Sequence, residues 1–220
     1  MKKPIWITNF KNYEQSIGQR AVDLAKIHQQ VADETGKSLA VAVSPLDIYR
    51  VSQEVSIPVL SQSMDPVDFG KNTGSILPQG IKRAGGAGSL INHSEDRVER
   101  QILEETTGFA QKSGLIRIVC AESPEEVEQL AELDPDFIAF EPPELIGSTT
   151  ASVATAHPES IKKSVELARG IPLLVGAGVS SVEDVKISLE LGASGFLAAT
   201  VIVKADNPLE KLRELIAAME

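Results

Sequence analysis

At 220 residues with 42% apolar side chains, the chain is long enough to bury one sizeable core and shorter than two domains usually need. Its formal net charge of −10 leaves no basic stripe to track a phosphate backbone, which excludes nucleic acid as a partner. A single cysteine, Cys120, offers neither a disulfide framework nor a zinc cluster and fits the cytoplasm. No run approaches membrane-span length, and Met1-Lys-Lys-Pro-Ile-Trp is too polar for a signal peptide, so no membrane partner is expected.

Taken in order, residues 4–10 read as a first strand with Lys11 just past it. The apolar rhythm of Ala21, Val22, Leu24, Ala25, Ile27, His28 and Val31 predicts a helix that stops before Gly36. Residues 38–43 form an unbroken apolar run, as in a strand covered on both faces, and Ser44-Pro45 opens the next helix. Residues 57–62 are a third strand. A long polar stretch, 65–74, follows before a short helix near Leu77, and loops of that length in compact domains usually have work to do.

Residues 86–93 read as a fourth strand, and Ser94-Glu95-Asp96 as the start of a helix running to about Lys112, which sets His93 beside a helix N-terminus. Residues 115–120 make a fifth strand, with Ser123-Pro-Glu-Glu opening its helix. The sixth strand, 137–140, ends on Glu141. His157-Pro158 leads into a helix, residues 171–176 are strand seven, Ser180-Ser-Val begins its helix, residues 194–199 are strand eight, and a last helix spans 208–219. Eight strand–helix units predict one α/β domain over 1–220, a (β/α)8 barrel with eight parallel strands ringed by helices, rather than an open sheet. In such a ring the loops after the strands share one face, so Lys11, His93, Glu141 and the turn at 176–178 are expected to converge.

Glu141 is delivered to a strand's carboxyl end and followed by Pro142-Pro143, stiff residues ahead of the permissive Gly147. That pattern reads as a general base under a swinging lid; an acid capping a turn is the plainer alternative. Gly176, Ala177 and Gly178 precede a helix start, and Ala199 and Thr200 follow strand eight, so both turns can offer backbone N–H groups to one phosphate. Lys11, with Asn9 two residues earlier, can stabilise developing negative charge. His93, kept neutral by the helix dipole, can donate to a carbonyl. His28 and His157 read as surface or helix residues, and Cys120 as a packed small apolar one. A carboxylate, a neutral imidazole, an ammonium and a phosphate seat describe proton abstraction beside a carbonyl in a small sugar phosphate, with no cofactor and no metal required.

Asn9-Phe-Lys11, Asn92-His-Ser-Glu95, Glu141-Pro-Pro-Glu-Leu-Ile-Gly147 and Gly176-Ala-Gly-Val-Ser180 stand in an order that resembles the triosephosphate isomerases, in their compact archaeal-type branch. The resemblance covers essentially the whole chain and implies the TIM-barrel fold. It implies that Glu141 moves a proton between adjacent carbons of a phosphorylated three-carbon substrate, with His93 polarising the carbonyl oxygens. Lys11 and Asn9 would stabilise the enediolate, Ser94 and Glu95 would support them, and Gly147, Gly178, Ala199 and Thr200 would hold phosphate through their backbone. Thr73 matches a residue that reaches into a neighbouring subunit's site, supported by Gln62, so a homodimer or homotetramer is implied. Thr149 and Val201 depart from the family's usual glycines in the lid and after strand eight. A non-catalytic phosphate-binding barrel, or an isomerase or epimerase of larger sugars, remain the other readings.

Overall fold

The computed structural model describes residues 1–143 and 152–219. Eight strands, β1 (Ile5–Asn9), β2 (Ser38–Val43), β3 (Val59–Ser61), β4 (Gly88–Ile91), β5 (Ile116–Ala121), β6 (Phe137–Phe140), β7 (Leu173–Val175) and β8 (Gly195–Ala198), pair in parallel with their sequence neighbours. β1 also pairs with β8, Ile5 opposite Gly195 and Thr8 opposite Ala198, so the sheet closes on itself. The helices are α1 (Gln19–Thr35), α2 (Ile48–Ser52), α3 (Pro78–Arg83), α4 (Arg100–Lys112), α5 (Pro124–Ala131), α6 (Val153–Ala156), α7 (Pro158–Leu167), α8 (Val182–Glu190), α9 (Thr200–Val203) and α10 (Pro208–Ala217). None among the described residues is long and apolar enough to cross a membrane.

Strand alternation sorts the core into two shells. Ile5, Ile7, Ala40, Ala42, Leu60, Leu90, Ile118, Phe137, Ala139, Leu174 and Leu197 fill the ring, small alanines making room for Phe137 and the leucines. The alternate residues, with Trp6, Phe10, Phe140 and Phe196 the bulkiest, pack outward against the helices. Trp6 and Phe196 meet there, their ring centroids 5.4 Å apart.

Two sequence expectations change. His28 is not a surface residue: it is fully buried between α1 and β1, its Nδ1 2.8 Å from the Leu24 carbonyl and its Nε2 2.7 Å from Thr8 Oγ1. Thr8 Oγ1 in turn accepts from Trp6 Nε1 at 3.0 Å. Helix α4 starts at Arg100, not at Ser94. The chain uses 94–99 as a turn, with Asp96 N–H donating to the His93 carbonyl and Val98 N–H to Asn92 Oδ1. Ser94-Glu95-Asp96 has the composition of a helix start, but here the side chain of Asn92 takes the donor that a helix would use.

Two other helix starts behave as their residues dictate. Ser123 caps α5 by accepting from Glu126 N–H, with Pro124 in the first turn. Ser181 and Asp184 form a reciprocal capping box on α8.

Candidate functional site

Asn9, Lys11, His93, Glu141, Gly176, Gly178, Ala199 and Thr200, gathered from five of the eight strand ends, line one cavity of about 330 Å³ at the carboxyl rim of the ring. Val179, Ser180, Val201 and Lys204 complete its wall at the side of α8 and α9. Ala177 sits behind the wall, buried, with its carbonyl accepting from Val153 N–H at 3.4 Å. Gly147 and Thr149 lie outside the described residues.

Alternation places Glu141. Phe137 and Ala139 face the axis, so Glu141 does as well, one residue past the end of β6. Gly176, at the same level on the next strand, leaves it room: a Cβ built there would collide with the Glu141 side chain. Burial pushes the Glu141 carboxyl up to about 7, while the Cys120 thiol and the Lys11 charge pull the other way. Its Oε2 has no hydrogen-bond partner among the described residues, and neither does the buried Ser94 Oγ. One face of this carboxylate is therefore left for something else.

The histidine reaches the rim by a backbone reset. Leu90 points into the ring, so strict alternation would aim Asn92 there; instead Asn92 adopts a left-handed φ of 62°, tolerable for asparagine, and His93 takes the inward place. The Asn92 side chain fixes the turn by donating to the Cys120 carbonyl at 3.0 Å. Glu95 N–H donates to His93 Nδ1 at 3.1 Å. A backbone amide can only donate, so Nδ1 is unprotonated and the neutral ring carries its hydrogen on Nε2. Neutrality comes from burial first and the Lys11 charge second, which bring the His93 pKa down to about 4. The helix dipole expected from the sequence plays no part, because the helix begins seven residues later.

Three donors converge beside Glu141. His93 Nε2 lies 3.5 Å from Glu141 Oε1, and with the ring neutral this is a contact between an N–H and a carboxylate, not an ion pair. Asn9 Nδ2 is 3.4 Å from the same Nε2; two donors cannot satisfy each other, so both remain available to a third atom. Lys11 N–H fixes Asn9 by donating to Oδ1 at 3.0 Å, and the Lys11 ammonium is braced by Glu95 Oε1 at 2.8 Å. Gln62 holds the Lys11 backbone, its Nε2 donating to the Lys11 carbonyl at 2.9 Å. Thr73 stands exposed in the loop after β3 and does not line this cavity.

The family model described as triosephosphate isomerase matches residues 4–219. The chain is 44% identical over 218 residues to the triosephosphate isomerase of Methanobacterium bryantii, covering 97% of this chain and 96% of that one. It is 42% identical over 223 residues to that of Methanothermus fervidus, covering 100% of each, and 41% identical over 221 residues to that of Saccharolobus solfataricus, covering 99% of this chain and 97% of that one. The chain belongs to the triosephosphate isomerase family.

Read as a member of the triosephosphate isomerase family, the chain has site neighbours that its motifs did not announce. Cys120 is buried inside the ring beside Glu141, and its thiol favours the ionised carboxylate. Burial and the Glu141 charge hold that thiol well above its ordinary range, so it stays protonated. Strand alternation from Ile118 could have placed it there. Tyr13 hydroxyl meets Thr200 Oγ1 at 3.0 Å, and the Lys204 ammonium sits 4.3 Å from the centroid of the Tyr13 ring. No spacing in the sequence links three residues so far apart.

Proposed function

We propose that the chain is an intramolecular aldose–ketose isomerase that interconverts dihydroxyacetone phosphate and D-glyceraldehyde 3-phosphate through an enediolate. One observation carries the reading: a buried carboxyl with its pKa near 7 and a neutral imidazole presenting an N–H stand 3.5 Å apart in a single cavity. A base poised near neutrality removes a proton most effectively when a donor awaits the charge that develops on the adjacent oxygen.

Glu141, ionised, withdraws a proton from the hydroxymethyl carbon of the ketose. The electron pair moves into the carbon–carbon bond and the carbonyl oxygen becomes an oxyanion. His93 Nε2–H and Asn9 Nδ2–H donate to it, and the Lys11 ammonium adds its charge. His93 passes its hydrogen to that oxygen and recovers one from the neighbouring hydroxyl. Glu141 then returns its proton to the second carbon, which gives the aldose and restores both groups. Ser94 and Glu95 are supporting residues, Glu95 through its ion pair with Lys11.

The phosphate is seated on backbone N–H groups of Gly178, Ala199 and Thr200, with Gly147 joining them from the lid. Among the described residues, neither the Gly178 nor the Ala199 N–H donates a turn or loop backbone hydrogen bond, and Thr200 opens α9, so its N–H lacks an intrahelical partner. A cavity of about 330 Å³ suits a three-carbon substrate better than a larger sugar.

We read residues 1–220 as one domain working in the cytoplasm as a homodimer or homotetramer. Leu46, Tyr49, Phe69 and Ile17 are exposed on the segments that follow β1, β2 and β3, Tyr49 on α2 and the others outside the α-helices, an apolar surface suited to a second copy. A hollow lined by Lys11, Asn12, Tyr13, Gln62 and Glu95 lies beside the site, where the Thr73 loop of a neighbour would enter. A coupled assay with purified protein and D-glyceraldehyde 3-phosphate tests the whole reading. Turnover that Glu141→Ala abolishes in a folded protein is the expected result, and no turnover at any protein concentration defeats it.

A further inference from the structure

Resting on that reading of the site, the structure assigns a positioning role to a buried hydroxyl–carboxylate pair, Ser152 and Asp184, which holds the loop 176–181 so that the Gly178 N–H faces the substrate's phosphate. Neither residue lines the cavity, and they stand 32 positions apart in the chain.

Both side chains are nearly inaccessible, Ser152 at 3% and Asp184 at 4%. The Ser152 hydroxyl donates to Asp184 Oδ1. Asp184 Oδ2 gathers the N–H of Ser180 at 3.0 Å, the N–H of Ser181 at 2.9 Å and the Ser180 hydroxyl at 3.3 Å. Burial raises this carboxyl, but the hydrogen bonds from Ser152, Ser180 and Ser181 outweigh it and hold it below the usual carboxylate range. A capping box on α8 needs only the reciprocal bonds between Ser181 and Asp184. The second oxygen, given to Ser152, is what ties the helix start to a different part of the chain.

That tie decides which amides remain for an anion. The N–H groups of Ser180 and Ser181, at the end of the loop, are already committed to Asp184 and cannot serve a phosphate. Residue 153, next to Ser152, donates its N–H to the Ala177 carbonyl at 3.4 Å. Across a planar trans peptide the carbonyl and the following N–H point in opposite directions. The Gly178 N–H therefore points away from Val153, and Gly178 itself lines the cavity and adopts a left-handed φ of 69°. Ser152 and Val153 clamp the loop from one side, Asp184 from below, and the glycine amide is left for the ligand.

The experiment compares wild type, Ser152→Ala, Ser152→Thr and Asp184→Asn in two assays: the kinetics of D-glyceraldehyde 3-phosphate turnover, and equilibrium binding of inorganic phosphate, which needs no catalysis. Losing a hydrogen bond to a carboxylate predicts that Ser152→Ala raises KM and the phosphate Kd together by about 5–50-fold, with kcat little changed. Ser152→Thr keeps the hydroxyl and restores both, and Asp184→Asn moves both further in the same direction. A folded Ser152→Ala protein with wild-type KM and phosphate affinity overturns the inference, as does one in which kcat falls alone. If Asp184→Asn does not fold, Ser152→Ala decides. Wild-type protein that binds phosphate without turning over substrate defeats the isomerase reading and leaves the binding comparison to judge the pair.

Discussion

His28 and His93 are both buried, and burial lowers both to about 4, yet they sit in regions built for opposite ends. Between α1 and β1, each His28 nitrogen has a fixed partner, the Leu24 carbonyl on one side and the Thr8 hydroxyl on the other. At the rim of the ring, His93 has one nitrogen fixed by the Glu95 amide, while the other meets, among the described residues, only Asn9 at 3.4 Å and Glu141 at 3.5 Å. The same desolvation keeps both rings neutral. What separates the two rings is the bond that His93 leaves unmade.

The largest expected effect breaks the comparison at the rim. His93→Ala lowers kcat by about 10²–10⁴-fold, while the thermal midpoint stays close to wild type because His93 packs against a cavity. Steady-state kinetics with circular dichroism melts check this, and a kcat within tenfold of wild type would sink the assignment.

Next comes the stored cost of the base. The folded-state pKa of Glu141 is raised from 4.5 to about 7, so its contribution to stability is fully present below 4.5 and is lost as pH rises through 7. Glu141→Gln removes that loss and stabilises the protein at pH 8 by on the order of 2 kcal/mol, a gain that vanishes near pH 4. Denaturant titrations at the two pH values measure it. In wild type, kcat/KM falls as pH drops below about 7, where the base takes up its proton.

On the structural side, His28→Leu leaves the Leu24 carbonyl and the Thr8 hydroxyl short of a partner and lowers stability by roughly 2 kcal/mol, with kcat/KM near wild type. The sign of its pH dependence is opposite to that of Glu141. A histidine depressed from 6.5 to about 4 contributes stability that is present above 6.5 and lost as pH falls toward 4. Urea midpoints between pH 7 and 4.5 should therefore decline less steeply in His28→Leu than in wild type. If the two slopes coincide, the buried ring does not titrate as described. The smallest effect is that of Gln62→Ala, which frees the Lys11 carbonyl and raises KM by about 2–5-fold, read by the same kinetics.

The eight strands were legible because their residues form short apolar runs punctuated by Gly, Pro and Ser, a signal local to each run. Glu141, Lys11 and Asn9 were legible because each stands at the end of such a run, and closing the ring does the rest. The neutrality of His93 was expected for a reason that failed: it was ascribed to a helix that starts at Arg100, since the turn at 94–99 borrows a helix-start composition. His28 was misplaced because its partner Thr8 lies 20 residues away and its helical neighbours say only that it faces inward or outward. Ser152 and Asp184 were invisible for the same cause, being joined only by the folded chain. Gln62 and Thr73 came from resemblance alone; Gln62 touches the site through Lys11, while Thr73 touches nothing of its own cavity.

At position 176 the arrangement at the rim depends on a missing atom. The Glu141 side chain occupies the space a methyl group would fill, so the path of this buried carboxylate is moulded by a neighbour that carries no functional group. A library of all substitutions at this position should return glycine alone among active clones, and any scheme that stiffens the protein by replacing glycines with alanine must leave this one untouched.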